Sequence, residues 1–375
     1  MRTWRGALCV ALLAIGLAFA LNACSTVGYY SQSIEGHLDV LRAARPIDDW
    51  LDDPATPQTL RERLATVRAM RRFAASDLGL PDNRSYTTYA DLKRPYVVYS
   101  VFATPELSLQ LRQWCFPIVG CVAYRGYYGK DDAELYAQTL RDAGDDVYVG
   151  GIPAYSTLGY TTDPVLSTFI GFPEGEVARL IFHELAHQVV YVAGDTTFNE
   201  SFAVAVEEEG VRRWFAARGG SLGPGEIAYR QSVDRKRAFV ALLTRHRQAL
   251  QAAYARSDDD VAKRAAKRTE FDALHADYVA MKVDPASAMF GFAGYDRYFA
   301  QALNNANLAA VATYTQRVST FAKLLADEHG DLPGFYRAVA VLARLPVGAR
   351  NARLDRLGGG KNDGGLQAGN TEGAR

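Results

Sequence analysis

The sequence predicts an α+β fold in which helix predominates, on three observations. From Pro173 onward, apolar residues recur at helical spacing in segment after segment. Runs of β-branched and aromatic residues are short and gathered earlier, which predicts a small β-sheet in the middle third of the chain. The composition is globular: 49% of the 375 residues are hydrophobic and 22% charged, enough to bury a large core. With 17 Phe, 21 Tyr and 4 Trp, disorder across the whole chain is excluded. Lysine and arginine total 42, aspartate and glutamate also 42, and no long basic block occurs. A nucleic-acid partner, which calls for a basic excess against phosphate, is therefore not expected.

Residues 1–23 read as a secretion signal. Arg2 and Arg5 precede an apolar run from Ala7 to Leu21 that is short for a bilayer span. The run closes on Leu21-Asn22-Ala23-Cys24, which resembles a bacterial lipobox, with Asn22 departing from the usual small or apolar residue. Lipidation of Cys24 would tether the mature chain to a membrane without spanning it. The expected location is the bacterial cell envelope, and Ser25 after the cysteine favours the periplasmic face of the outer membrane. In that oxidising compartment Cys115 and Cys121, with Pro117 and Gly120 bending the chain between them, are expected to form a disulfide.

Residues 29–80 read as helices. Ile34, Leu38 and Leu41 share one face and Leu60, Leu64, Val67 and Met70 another, with Pro46, Pro54 and Pro57 as breaks. Residues 95–102, 122–128 and 146–149 read as strands, and 131–142 as a helix between them. Residues 174–192 and 197–218 are helical by the same periodicity. Long amphipathic helices follow over 227–256 and 261–282, with Ser257 to Asp260 as helix break and N-cap. Further helices fit 307–329 and 333–345. Seven glycines fall in the last eighteen residues, so the tail over 357–375 reads as disordered. Without a repeat or a clear linker, residues 24–356 are expected to form a single domain.

One motif carries chemistry. Residues 183–187 read His-Glu-Leu-Ala-His, the pattern H-E-x-x-H. On a helix His183 and His187 share a face and can aim at one ion, while Glu184 stands beside them to take a proton from an attacking water. Val177, Leu180, Ile181, Leu185 and Val189 supply an apolar helical face, and no glycine or proline interrupts until Gly194. A zinc site needs a third protein ligand. The metzincin position six residues beyond His187 holds Ala193, which excludes that class. Phe198-Asn199-Glu200-Ser201-Phe202-Ala203 looks like the N-E-x-F-A stretch of gluzincin peptidases and points to Glu200, although Thr197 to Glu200 also fits a capping box. Glu207 lies twenty residues after His187, the thermolysin-like interval. Local motif favours Glu200 and spacing favours Glu207. Val204 stands where thermolysin-like enzymes carry an acidic residue, so the histidines have no assigned second partner.

The lipobox, the Cys115/Cys121 loop running into Val122-Ala123-Tyr124-Arg125-Gly126-Tyr127, residues 183–188 and residues 198–207 together resemble the proteobacterial putative aminopeptidase lipoprotein family. The resemblance spans Cys24 to about Arg356. It implies a zincin-like catalytic domain that cleaves peptide substrates at their N-termini. Read with the motif, the cofactor is Zn2+ on His183, His187 and Glu200, and Glu184 is the general base. An oxyanion donor is sought among Tyr295, Tyr298 and Tyr314, and an anchor for the substrate ammonium among Glu207, Glu208 and Glu209. Two other classes stay open: a zinc endopeptidase or cell-wall amidase, and a non-catalytic envelope chaperone or assembly lipoprotein. Retention of Glu184 speaks against the last, because a structural metal has no need of a base.

Overall fold

A computed structural model describes residues 28–116, 120–219, 223–312 and 317–359. Cys24, Tyr314, the signal segment and the chain beyond residue 359 lie outside them. Helix makes up 59% of the described residues and the strands form small sheets, so the fold is α+β and mainly helical. Helix α1 (28–43) leads into β1 (Ala44–Pro46), α2 (Ile47–Asp52) and α3 (Gln58–Ser76). Strand β2 (Thr88–Ala90) pairs antiparallel with β1 and parallel with β8 (Val165–Leu166). A second sheet has β3 (Val98–Pro105) between β6 (Arg125–Tyr127) and β7 (Asp145–Ile152), both antiparallel to it. Between them in sequence, β4 (Trp114–Phe116) and β5 (Gly120–Val122) form a ladder in which Cys115 faces Cys121, and the two are joined by a disulfide. The strands thus run from residue 44 to residue 166 and are not confined to the middle third. Those of the first sheet are two or three residues long, too short to leave a period-two pattern.

Helix α4 (Lys130–Asp142) covers one face of the second sheet through Ala133 and Ala137. The helices after it carry most of the core: α5 (Glu174–His187), α6 (Thr196–Ala217), α7 (Pro224–Ala255), α8 (Asp260–Val283), α9 (Asp296–Phe299), α10 (Asn305–Ala312), α11 (Val318–Asp327), α12 (Leu332–Ala343) and α13 (Val347–Leu357). Asp259 caps α8 by accepting from the backbone N–H of Val261 and Ala262, at the charged break the sequence marks. Leu64, Met70, Phe182, Leu185, Phe202, Phe321 and Phe335 meet in the largest apolar cluster. At about 25 cal/mol per Å2 of buried apolar surface, side chains of this size contribute roughly 2–3 kcal/mol each. A second cluster lies along the α7–α8 pair, from Leu242 and Leu274 to Phe299 and Leu308. α10 closes the other face of the second sheet, setting Ala306 and Ala310 on Phe102.

The strand expected over 122–128 is divided into β5 and β6, with residues 123–124 between them, and two helix boundaries differ from the periodicity. α5 stops at His187, five residues short of Val192, because the buried Asn199 side chain holds the next segment irregular: its Oδ1 accepts from Val192 N and its Nδ2 donates to Val192 O, both at 2.8 Å. The helix expected over 307–329 is divided into α10 and α11, with residues 313–316 outside the described set. α5 and α6 cross closely at Gly210, where a Cβ would lie 2.8 Å from the Phe182 ring and 2.9 Å from Leu78.

Candidate metal centre

α5 presents His183, Glu184 and His187 to a cleft of about 1360 Å3 whose walls include α5, α6, α7, α11, β3, the β5–β6 turn and the segment after β7. Their spacing on one helix brings the two Nε2 atoms to 3.2 Å. α6 returns antiparallel after a turn through Gly194, whose φ of +78° suits glycine. Its N-cap is Asp195, which accepts from Phe198 N, so Glu200 is not the cap and its carboxylate is available elsewhere. Glu200 lies 3.3 Å from His183 Nε2 and 3.7 Å from His187 Nε2. The ligand atoms of His183, His187 and Glu200 all fall within 4.8 Å of one another.

Glu207, the competing third ligand, sits on the opposite side of the imidazole. Its Oε2 is 2.7 Å from His183 Nδ1 and accepts from Arg179 Nη1 at 3.2 Å. Arg179 Nε donates to Glu176 at 2.8 Å, and Ser232 on α7 donates to the other Glu176 oxygen at 2.7 Å. Glu207 therefore fills the position of histidine partner that spacing alone left without a candidate. The signal for it in the sequence is the seven-residue interval from Glu200, which puts both carboxylates on one face of α6.

The electrostatics follow from burial and these pairings. Burial disfavours charge on the His183 imidazole, but the Glu207 and Glu200 carboxylates outweigh it and push the ring up to about 10. Burial would raise Glu207, but Arg179 and His183 hold it down to about 2. Burial and the neighbouring His183 charge lower His187 to about 4. Burial pushes the Glu184 carboxyl up to about 7, with His183 opposing and Glu200 adding to the rise.

The donor set fits a zinc ion. With Glu207 on Nδ1, a neutral His183 ring would keep its hydrogen there, and once an ion displaces the second proton the Nε2 lone pair would face Glu200 and His187. Ligand atoms around a tetrahedral ion with bonds near 2.1 Å stand about 3.4 Å apart, close to the spacing of the two Nε2 atoms. Among the described residues His187 Nδ1 is buried without a partner, so of the two histidines His183 has its outer nitrogen tied.

The expected ammonium anchors are engaged elsewhere: Glu207 as above, Glu208 with Arg237 at 3.1 Å, and Glu209 with Arg212 and Arg213 at 2.7 Å each. Of the tyrosines, Tyr295 lines the cleft but stacks on Phe239 at 4.1 Å, and Tyr298 packs edge-on against the same ring. Tyr124 in the β5–β6 turn and Tyr191 after α5 stand nearer. Both line the cleft, neither makes a hydrogen bond among the described residues, and burial followed by the Glu200 charge raises both phenols. The sequence assigns neither a role: Tyr124 lies in the 122–127 stretch of the family resemblance with nothing beside it that marks it as a donor, and Tyr191 lies in no motif.

The family described as "Putative aminopeptidase" matches residues 28–354 of the chain. No curated protein and no solved structure matches it.

Proposed function

We propose that this chain, which belongs to the putative aminopeptidase family, is a zinc-dependent peptidase whose ion is held by His183, His187 and Glu200. The observation that carries the reading is the convergence of those three donors beside Glu184 at the floor of one cleft. Zinc bound there supplies Lewis-acid polarisation of the scissile carbonyl and lowers the pKa of the attacking water. Glu184 takes the water proton and returns it to the leaving amine. Glu207, fixed by Arg179, keeps the His183 ring turned so that Nε2 faces the ion. Tyr124 donates its free phenol to the oxyanion, reaching from the wall that also faces Glu184 and Glu200.

The test is Glu184→Gln. It should keep stoichiometric zinc while peptide hydrolysis falls about 10²- to 10⁴-fold. Unchanged activity, or a wild type that binds no zinc, would sink the mechanism. Aminopeptidase action is the reading that the family favours. The engaged state of Glu207, Glu208 and Glu209 favours a second one, endopeptidase action, since none is free for a substrate ammonium. Acetylating the N-terminus of a cleaved peptide separates them: an aminopeptidase stops, an endopeptidase continues.

The reading extends to placement. We infer a lipid anchor on Cys24 and residence at the bacterial envelope, with residues 24–356 as one peptidase domain. No helix of the described residues is long and apolar enough to cross a membrane. Metabolic labelling with a fatty acid, lost in Cys24→Ser, checks the anchor.

A further inference from the structure

α7 forms the cleft wall facing α5, and residues four apart on it, Ser232, Lys236, Val240 and Thr244, line the opening. Ser232 is tied into the Glu176–Arg179–Glu207 knot that holds His183. Lys236 stands one turn further along the same face, about 5–6 Å on by helix geometry. The other cations of the cleft are committed. Arg179 is bonded to Glu176 and Glu207, Arg237 to Glu208 at 3.1 Å, and Arg245 to Asp277 at 2.6 Å. Among the described residues lining the cleft, Lys236 is the one cation with neither an ion pair nor a hydrogen bond. Its charge is felt within the site, where after Arg179 and His183 it helps keep Glu207 ionised.

The anions show the reverse. Glu176, Glu207 and Glu208 are each bonded to an arginine, and Glu200 belongs to the metal triad. An incoming carboxylate therefore meets an uncommitted ammonium, whereas an incoming ammonium meets no spare carboxylate except Glu184. Lysine suits the task, being a compact charge on a flexible stem that follows a ligand without demanding a fixed fork geometry. A recessed cleft with largely apolar walls strengthens the attraction over that on an open surface.

We propose that Lys236 binds a carboxylate of the substrate, so that the cleft selects peptides carrying one within reach of the scissile bond. The carboxylate comes from an acidic side chain or from the free C-terminus of a short peptide. The assignment rests on the peptidase reading above. It is tested with one short peptide made with Glu, Gln or Lys next to the cleaved bond, each as the free acid and as the C-terminal amide. kcat/KM is measured for zinc-loaded wild type, Lys236→Met and Lys236→Glu. The wild type should favour a carboxylate-bearing peptide about three- to tenfold, the range of an ion pair between exposed and partly desolvated. Lys236→Met should erase the preference, and Lys236→Glu should reverse it toward the lysine peptide, a gain that a misfolded variant cannot produce. Loss of the wild-type preference on amidation assigns the C-terminus, and its loss on Glu→Gln assigns the side chain. Hydrolysis by the wild type without preference, or a preference that survives Lys236→Met, overturns the assignment alone. A zinc-loaded wild type that cleaves none of the peptides overturns the peptidase reading and this assignment with it.

Discussion

At the scale of single residues, Glu200 and Glu207 share a face of α6 yet meet opposite nitrogens of His183. Their substitutions should therefore differ in degree. Glu200→Ala removes a proposed ligand and should abolish stoichiometric zinc. Glu207→Gln leaves all three proposed ligands and should weaken zinc about 10- to 100-fold, read by competition with a chelating dye. Tyr124→Phe touches neither and should lower kcat about 10²-fold with zinc content and KM little changed. Burial, more than any neighbouring charge, brings Glu184 to about 7, and a dication beside it lowers that value. Because the proposed base must be ionised, kcat/KM should rise with pH along an acid limb whose midpoint lies at or below 7. A midpoint well above 7 would contradict Glu184 as the group that titrates.

At the scale of elements, the α5–α6 pair is fastened at its turn. Asp195 caps α6 and also accepts two bonds from Arg350 of α13, whose side chain is 5% exposed. Asp195→Ala removes the cap and leaves a buried guanidinium without its counter-ion, held by the Leu345 and Ala343 carbonyls, which should cost about 3–5 kcal/mol in denaturant unfolding. A loss under 1 kcal/mol would show the pair to be dispensable. The same turn marks what could be read in advance. The H-E-x-x-H helix and the break before α8 were legible because their signals are local: apolar spacing and a capping aspartate. The end of α5 was not, since the side chain that stops it, Asn199, comes twelve residues later and acts through Val192. Nor was the division of labour between Glu200 and Glu207. It depends on how closely α5 and α6 approach, which the missing side chain of Gly210 permits against Phe182 and Leu78. Strands of two or three residues, such as β2 and β8, carry no periodicity to read.

At the scale of the whole molecule, a proposed ion that bridges α5 and α6 ties its binding to folding. Chelation should lower the midpoint of thermal unfolding and added zinc should restore it. Free zinc at 100 times its Kd contributes about 2.7 kcal/mol, and Glu200→Ala should show no response. The β4–β5 hairpin bears on the same pair of helices from outside. Gly120, beside the Cys115–Cys121 bridge, packs so tightly on the α5–α6 turn that a Cβ there would lie 3.0 Å from the backbone nitrogen of Gly194. A bridge closing so short a loop is worth roughly 2 kcal/mol, and the hairpin it fastens rests on the turn between His187 and Glu200. The choice of production host thus becomes part of the chemistry. Chain exported to an oxidising compartment should be recovered fully metallated, whereas chain harvested from a reducing cytoplasm should fold around a slack turn and lose its zinc on dialysis.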